Sequence, residues 1–198
     1  MRIALVNPPY GVEDLVGKSK SLKGIMNVVQ PLGLGYIAAL LERDGFEVEI
    51  EDCQCLGVNH HDLIERLDKQ QPDIVGISAT TPTFGSSLLA AQMMKQSLPE
   101  VPLLIGGPHV SALPMETMAY DCFDIGVVGE GELTTLELVK HIQKDRLDNL
   151  ERVAGIIFKK NGEYRQTERR PFIRNLDELP LPARHLLPPL NMYHPAPT

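Results

Sequence analysis

The chain has 198 residues, enough for one domain of about 150 residues with an appendage. Its 43% hydrophobic and 23% charged composition suits a globular protein with a sizeable core, and its formal charge of −7 argues against a face that neutralises nucleic-acid phosphates. No apolar run is long enough for a membrane span or a signal-peptide core, and Cys53, Cys55 and Cys122 form no disulfide framework, so a cytoplasmic, reduced setting is expected.

In chain order, residues 2–6 are an almost continuous apolar run, as in a strand buried on both faces. They lead into Asn7-Pro8-Pro9-Tyr10-Gly11, where two prolines fix φ and remove two donors, making a stiff loop with exposed carbonyls. The segment 10–29 is long and polar in its middle and is expected to be mobile or to act as a lid. Pro31 then opens a helix whose Leu34, Ile37, Ala38 and Leu41 make one apolar stripe, and Asp44-Gly45 closes it. Residues 46–51 alternate polar and apolar, which predicts an edge strand with one wet face. Asn59 is placed to cap a helix over 60–70 that buries Leu63, Ile64 and Leu67.

Further strands are predicted at 74–78, 101–105 and 125–128, with helices at 86–98, 113–120 and 132–144. From Gly155 the texture changes. Residues 155–160 and 163–167 flank Asn161-Gly162, a strong hairpin signal, and the Pro-rich stretch 179–189 reads as an extended strap or interdomain linker.

Strand alternating with helix predicts a five-stranded parallel α/β sheet of flavodoxin-like (Rossmann-like) order 2-1-3-4-5 in residues 1–150, with a β-hairpin and strap in 151–198. Such a sheet binds ligands outside the carboxyl ends of its strands, where the strand order reverses. The loops there are Asn7-Pro8-Pro9, the hydroxyl cluster Ser78-Ala79-Thr80-Thr81-Pro82-Thr83, Gly106-Gly107-Pro108-His109 and Gly129-Glu130-Gly131-Glu132. Each alone is an ordinary βα turn, but four on one rim favour a ligand site, since glycine admits close backbone approach and hydroxyls bond polar groups.

The loop after the second strand reads Asp52-Cys53-Gln54-Cys55-Leu56-Gly57 and resembles the Asp-x-His-x-x-Gly segment of cobalamin-binding domains in mutases and methyltransferases. In those domains the His replaces the cofactor's own base under the cobalt. Here Asp52 and Gly57 match and Gln54 stands in place of the His. An amide is a poor cobalt donor beside imidazole, so the resemblance implies base-off cobalamin without a His ligand. More of the chain is similar to the cobalamin-binding halves of radical S-adenosylmethionine proteins, the group that includes anaerobic magnesium-protoporphyrin IX monomethyl ester cyclases and methylases of unactivated carbon. Matching pieces are Asn7-Pro8-Pro9, Pro31-Leu-Gly-Leu-Gly-Tyr36, Pro72-Asp-Ile-Val-Gly-Ile-Ser78, Gly106-Gly-Pro-His109, Val128-Gly-Glu-Gly-Glu132 and Leu179-Pro-Leu-Pro-Ala-Arg184.

The resemblance implies that Asn7, Pro8 and Pro9 border the corrin, that Asp52, Gln54 and Gly57 sit below it, and that Ser78, Thr80 and Thr81 hydrogen-bond the displaced tail. Gly106 and Gly107 would permit its close passage, with His109, Gly129 and Glu130 beside it. The family's catalytic barrel also needs S-adenosylmethionine and a four-iron four-sulfur cluster on Cys-x-x-x-Cys-x-x-Cys, a spacing these three cysteines cannot supply. No catalytic residue and no metal ligand set is therefore assigned to this chain. It is expected to be a binding module, inactive alone, whose partners are cobalamin and the radical barrel of the same protein. Neither the substrate nor the oligomeric state is set by these residues.

Other readings fare worse. Gly33-Leu-Gly-Tyr-Ile-Ala38 matches a dinucleotide fingerprint but does not follow the first strand directly. A receiver domain needs acids after the first and third strands and a Lys after the fifth, where Asn7, Ser78 and Gly129-Glu130 stand. A flavin carrier needs a hydroxyl-rich loop after the first strand, though the 78–83 cluster keeps a flavin or nucleotide as an alternative. Cys53, Cys55, His60 and His61 lack the usual zinc spacing. A degenerate module that binds no cofactor and serves as an interaction platform is the alternative from another class.

Overall fold

The computed structural model describes residues 1–10 and 28–193, so most of the segment expected as a lid lies outside the described residues. The elements are β1 (Arg2–Asn7), α1 (Leu32–Arg43), β2 (Glu47–Asp52), the single turn α2 (Cys53–Leu56), α3 (His60–Gln70), β3 (Ile74–Ser78) and α4 (Phe84–Ser97). They continue with β4 (Leu103–Gly106), α5 (Pro108–Ala112), α6 (Pro114–Met118), β5 (Ile125–Val127), α7 (Gly131–Asp145), β6 (Ile156–Lys160) and β7 (Glu163–Gln166).

The strand order is β2-β1-β3-β4-β5-β6-β7. The first five strands are parallel, in the order anticipated, with β2 at the edge and alternately exposed and buried along its first half. The expectation of a five-stranded, wholly parallel sheet is corrected: the sheet has seven strands and is mixed. The hairpin is no appendage, because β6 adds antiparallel to β5 and β7 completes that edge. The reason is burial. β5 is only three residues long and would otherwise present bare N–H and C=O groups, while Ile156, Ile157 and Phe158 are consecutive apolar residues that need cover on both faces. Phe158 and Ile156 enter the core on one side of the sheet and Ile157 enters the core on the other.

Helices α1 and α7 lie together over one face, and α3 and α4 over the other. Leu34, Ala38 and Leu41 of α1 meet Leu138, Val139 and Ile142 of α7 above Ile3, Leu5 and Leu104. Leu63 and Leu67 of α3, with Ala90, Ala91 and Met94 of α4, cover Val6, Val75 and Ile77. Each large side chain so buried contributes about 1.5–3 kcal/mol. Asn59 caps α3 by accepting from the Asp62 N–H at 3.0 Å, and Gly45 follows α1 with φ +86°. The helix expected over 113–120 is the shorter α6, and α5 precedes it, the two divided at Leu113 (φ −133°), whose helical conformation the following Pro114 disfavours.

Past β7 the chain forms a strap that crosses the α7 and α1 layer. Arg170 Nε donates to Thr134 Oγ1 at 2.9 Å and its guanidinium pairs with Glu137. Ala183 N–H donates to Gly35 O at 2.9 Å, and Ala183 and Leu187 join the core on that face. No described helix is long and apolar enough to cross a membrane.

Candidate functional site

The carboxyl ends of β1, β3, β4 and β5 form a rim, and beneath it lies a cleft between α1 and the sheet. Leu5, Leu34, Ile37, Ile77, Leu104, Pro108 and Val127 make its apolar walls, Ser78, Glu132 and Thr135 add polar groups, and six glycines (33, 76, 106, 107, 129 and 131) complete the lining. Its volume is about 200 Å³. A dry apolar cavity of roughly 150 Å³ admits benzene, so this one takes a somewhat larger flat group. The glycines differ in purpose. A Cβ on Gly33 would meet nothing within 4 Å among the described residues, so that wall is open space there. A Cβ on Gly107 would lie 2.7 Å from Ala79 O, at a φ of +105°, so this glycine is required by the protein's own backbone. Gly35, two residues after Gly33, faces the strap: its Cβ would stand 3.1 Å from that of Pro182. The Gly-x-Gly of α1 thus has one glycine facing open space and one in close approach to the chain.

At the β1–β2 end of the rim, Asp52 is 0% exposed and accepts three hydrogen bonds. Asn7 Nδ2 donates at 2.8 Å, the Cys55 N–H at 3.4 Å as the helix cap, and Tyr193 O–H at 2.7 Å. Gln54 Nε2 donates to Asn7 Oδ1 at 3.1 Å. Gly57 ends α2 in the left-handed region, φ +64°. Burial and the adjacent Asp52 carboxylate push the Tyr193 phenol pKa up, so it remains a donor. Cys55 is raised by its own burial, and burial, followed by Glu51 and Asp52, pushes Cys53 up to about 12. Both stay thiols.

The structure brings Asn7, Asp52, Gln54 and Gly57 together, and gathers Ser78, Gly106, Gly107 and Gly129 at the cleft. Other residues singled out from the sequence are engaged by the protein's own groups. Pro8 and Pro9 are buried, and Pro9 O accepts from Ser86 Oγ, which also bonds His60 Nε2 at 2.9 Å. Thr80 bonds Thr83 Oγ1 through both its N–H (2.9 Å) and its hydroxyl (3.0 Å), closing the turn before α4. Thr81 Oγ1 meets His109 Nδ1 at 3.3 Å. The His109 ring stacks on Phe84 with centroids 4.0 Å apart, away from the cleft lining, and burial holds its pKa below the ordinary value. Glu130 Oε2 accepts from the Ile173 N–H at 2.8 Å and so anchors the strap.

Sequence reasoning missed Gly33, Gly76 and Gly131 as lining, and Tyr193 altogether. A glycine inside an apolar strand run, as in Ile74-Val-Gly-Ile-Ser78, marks close approach, so Gly76 had a legible signal. Tyr193 had none, since it meets Asp52 across 141 residues of chain.

A family model described as B12 binding domain matches residues 24–139, more than half of the chain. An uncharacterised methyltransferase of Pyrococcus horikoshii is 38% identical over 189 residues, covering 95% of this chain and 39% of the relative. An anaerobic magnesium-protoporphyrin IX monomethyl ester cyclase of Cereibacter sphaeroides is 27% identical over 184 residues, covering 90% of this chain and 28% of the relative. The chain therefore spans well under half the length of these relatives. Among solved structures, the cobalamin-dependent S-adenosylmethionine radical enzyme OxsB, with aqua-cobalamin and S-adenosylmethionine bound, superposes with a TM-score of 0.75 at 22% identity. That match covers 94% of this chain and 24% of OxsB and establishes the shared fold. The chain belongs to the B12-binding domain family, as a cobalamin-binding domain similar to those of cobalamin-dependent radical S-adenosylmethionine methyltransferases and cyclases.

Proposed function

We propose that the chain holds base-off cobalamin across the carboxyl ends of its parallel strands, with the displaced nucleotide tail in the cleft between α1 and the sheet. The observation that carries this reading is the glycine-walled, apolar cleft with open space at Gly33. A flat heteroaromatic base needs apolar walls and close backbone approach, and a few directional polar groups fix its orientation. Ser78, Gly106, Gly107 and Gly129 line the tail's path. Asn7 and Gln54 present amides at the corrin end, on a loop shaped by Asp52, Gly57, Pro8 and Pro9. Thr80, Thr81 and His109 shape the neighbouring loop, and Glu130 fixes the strap beside the cleft.

Bound cobalamin supplies a cobalt centre that can carry a methyl group or serve a radical reaction, and the protein supplies orientation and control of the axial sites. In the parent protein this module would serve methyl transfer or tetrapyrrole ring cyclisation, with the S-adenosylmethionine and iron–sulfur sites outside this chain. Residues 1–150 would form the cofactor module, and 151–198 the hairpin and strap leading toward the radical barrel. A reduced, cytoplasmic setting suits free thiols at Cys53, Cys55 and Cys122.

Reconstitution with hydroxocobalamin followed by gel filtration tests the reading. Corrinoid absorbance should co-elute with the protein. A colourless protein would overturn it and favour an interaction platform.

A further inference from the structure

Four side chains at the β1–β2 end of the rim form one hydrogen-bonded chain whose direction is chemically determined. Tyr193 O–H donates to Asp52 Oδ2, Asn7 Nδ2 donates to Asp52 Oδ1, and Gln54 Nε2 donates to Asn7 Oδ1. A carboxylate can only accept. Asn7 must therefore turn its NH₂ group to Asp52, which leaves its carbonyl oxygen for Gln54. Gln54 must commit its NH₂ group to Asn7. The chain of donors ends at the carbonyl oxygen of Gln54, on a half-buried side chain, and no hydrogen bond from a described residue reaches that atom. A lone surface amide can point either way. This one is oriented through a fully buried anion and a phenol contributed by the strap.

We propose that Tyr193, Asp52 and Asn7 are positioning residues that turn the Gln54 carbonyl oxygen, and not an N–H, toward the lower face of the bound corrin. There it accepts a hydrogen bond from a water that stays as the axial ligand of cobalt. The inference rests on the placement of cobalamin proposed above. An amide oxygen competes poorly with imidazole for cobalt but is a good acceptor for water. The strap thereby takes part in axial control, because its Tyr193 supplies one of the three donors that Asp52 holds.

The full chain is loaded with hydroxocobalamin, gel-filtered, reduced with dithionite and examined by electron paramagnetic resonance. Wild type should show five-coordinate Co(II) with an oxygen ligand and no nitrogen superhyperfine splitting. Gln54→Leu removes the acceptor and should shift the population toward four-coordinate Co(II), roughly fivefold for the loss of one hydrogen bond. Gln54→His places imidazole at the same point and should introduce nitrogen splitting. Asp52→Asn keeps the helix cap but frees the direction of the chain, and should fall between wild type and Gln54→Leu. Because Gln54 is half-buried, its two variants keep the test valid if Asp52→Asn fails to fold. Four-coordinate wild type, an unchanged Gln54→Leu spectrum, or no nitrogen splitting from corrinoid-loaded Gln54→His would each overturn the inference. Asp52→Asn with a wild-type spectrum would overturn the role of the buried anion. Failure of wild type to retain corrinoid would instead remove the proposed function itself, and this inference with it.

Discussion

Gly33 and Gly107 are both glycines at the cleft, yet they stand there for opposite reasons. Gly107 is demanded by its positive φ and by Ala79 O, whereas Gly33 has room for a side chain that no described residue fills. Gly33→Leu should therefore leave thermal stability unchanged or slightly higher, since leucine favours helix over glycine by up to about 1 kcal/mol. The same change should weaken cobalamin binding about ten- to a hundredfold, the effect of overpacking by about 1–3 kcal/mol. Paired melting and spectrophotometric titration would check both halves. His109 makes a second residue-scale prediction. Burial lowers its folded pKa below the ordinary 6.5, so below that value the unfolded chain takes up a proton that the folded chain resists. The contribution is present above the unfolded pKa and is lost as pH falls toward the folded one. The urea midpoint should drop from about pH 7.5 to about pH 5.5, and should drop less in His109→Phe, which can keep the stack on Phe84.

Among the elements, the hairpin separates local from non-local information. Asn161-Gly162 makes the turn legible, and both residues take positive φ (53° and 83°) as such a turn requires. What β6 pairs with is not written in the turn. The clue was Ile156-Ile157-Phe158: three apolar residues in a row cannot belong to a strand with one wet face. Because β6 is an interior strand, Ile157→Ala should cost about 2–5 kcal/mol and lower the whole domain's melting temperature in a single transition. An early local melting of the hairpin, with the parallel sheet intact by hydrogen exchange, would show that the seven strands do not unfold as one unit. The strap is the opposite case. Its prolines announce an extended segment, but its seat depends on Gly35, Glu130 and Asp52, each far away in the chain.

For the molecule as a whole, a ligand bound only by the folded state stabilises it by mass action. With free hydroxocobalamin at about a hundred times Kd, the melting temperature of a chain this size should rise by roughly 5–11 °C. Gly33→Leu should lose about half of that rise or more at the same concentration. Differential scanning calorimetry with and without cofactor distinguishes this from a nonspecific effect, because only the former depends on Gly33.

Hydrophobic periodicity and turn chemistry are properties of neighbouring residues, and they alone determined the five parallel strands, the edge position of β2, the caps of α1 and α3 and the rim where a ligand should sit. The family was likewise legible in short segments such as Asp52–Gly57. Tertiary structure alone decided that β6 extends the sheet, that Gly33 and Gly35 face a cleft and a strap respectively, and that Thr80, Thr81 and His109 bond to neighbouring side chains or stack on them. It also decided that Tyr193 reaches Asp52. Each of these depends on which distant surfaces are left unpaired once the local elements have formed, and that follows only from packing the complete chain.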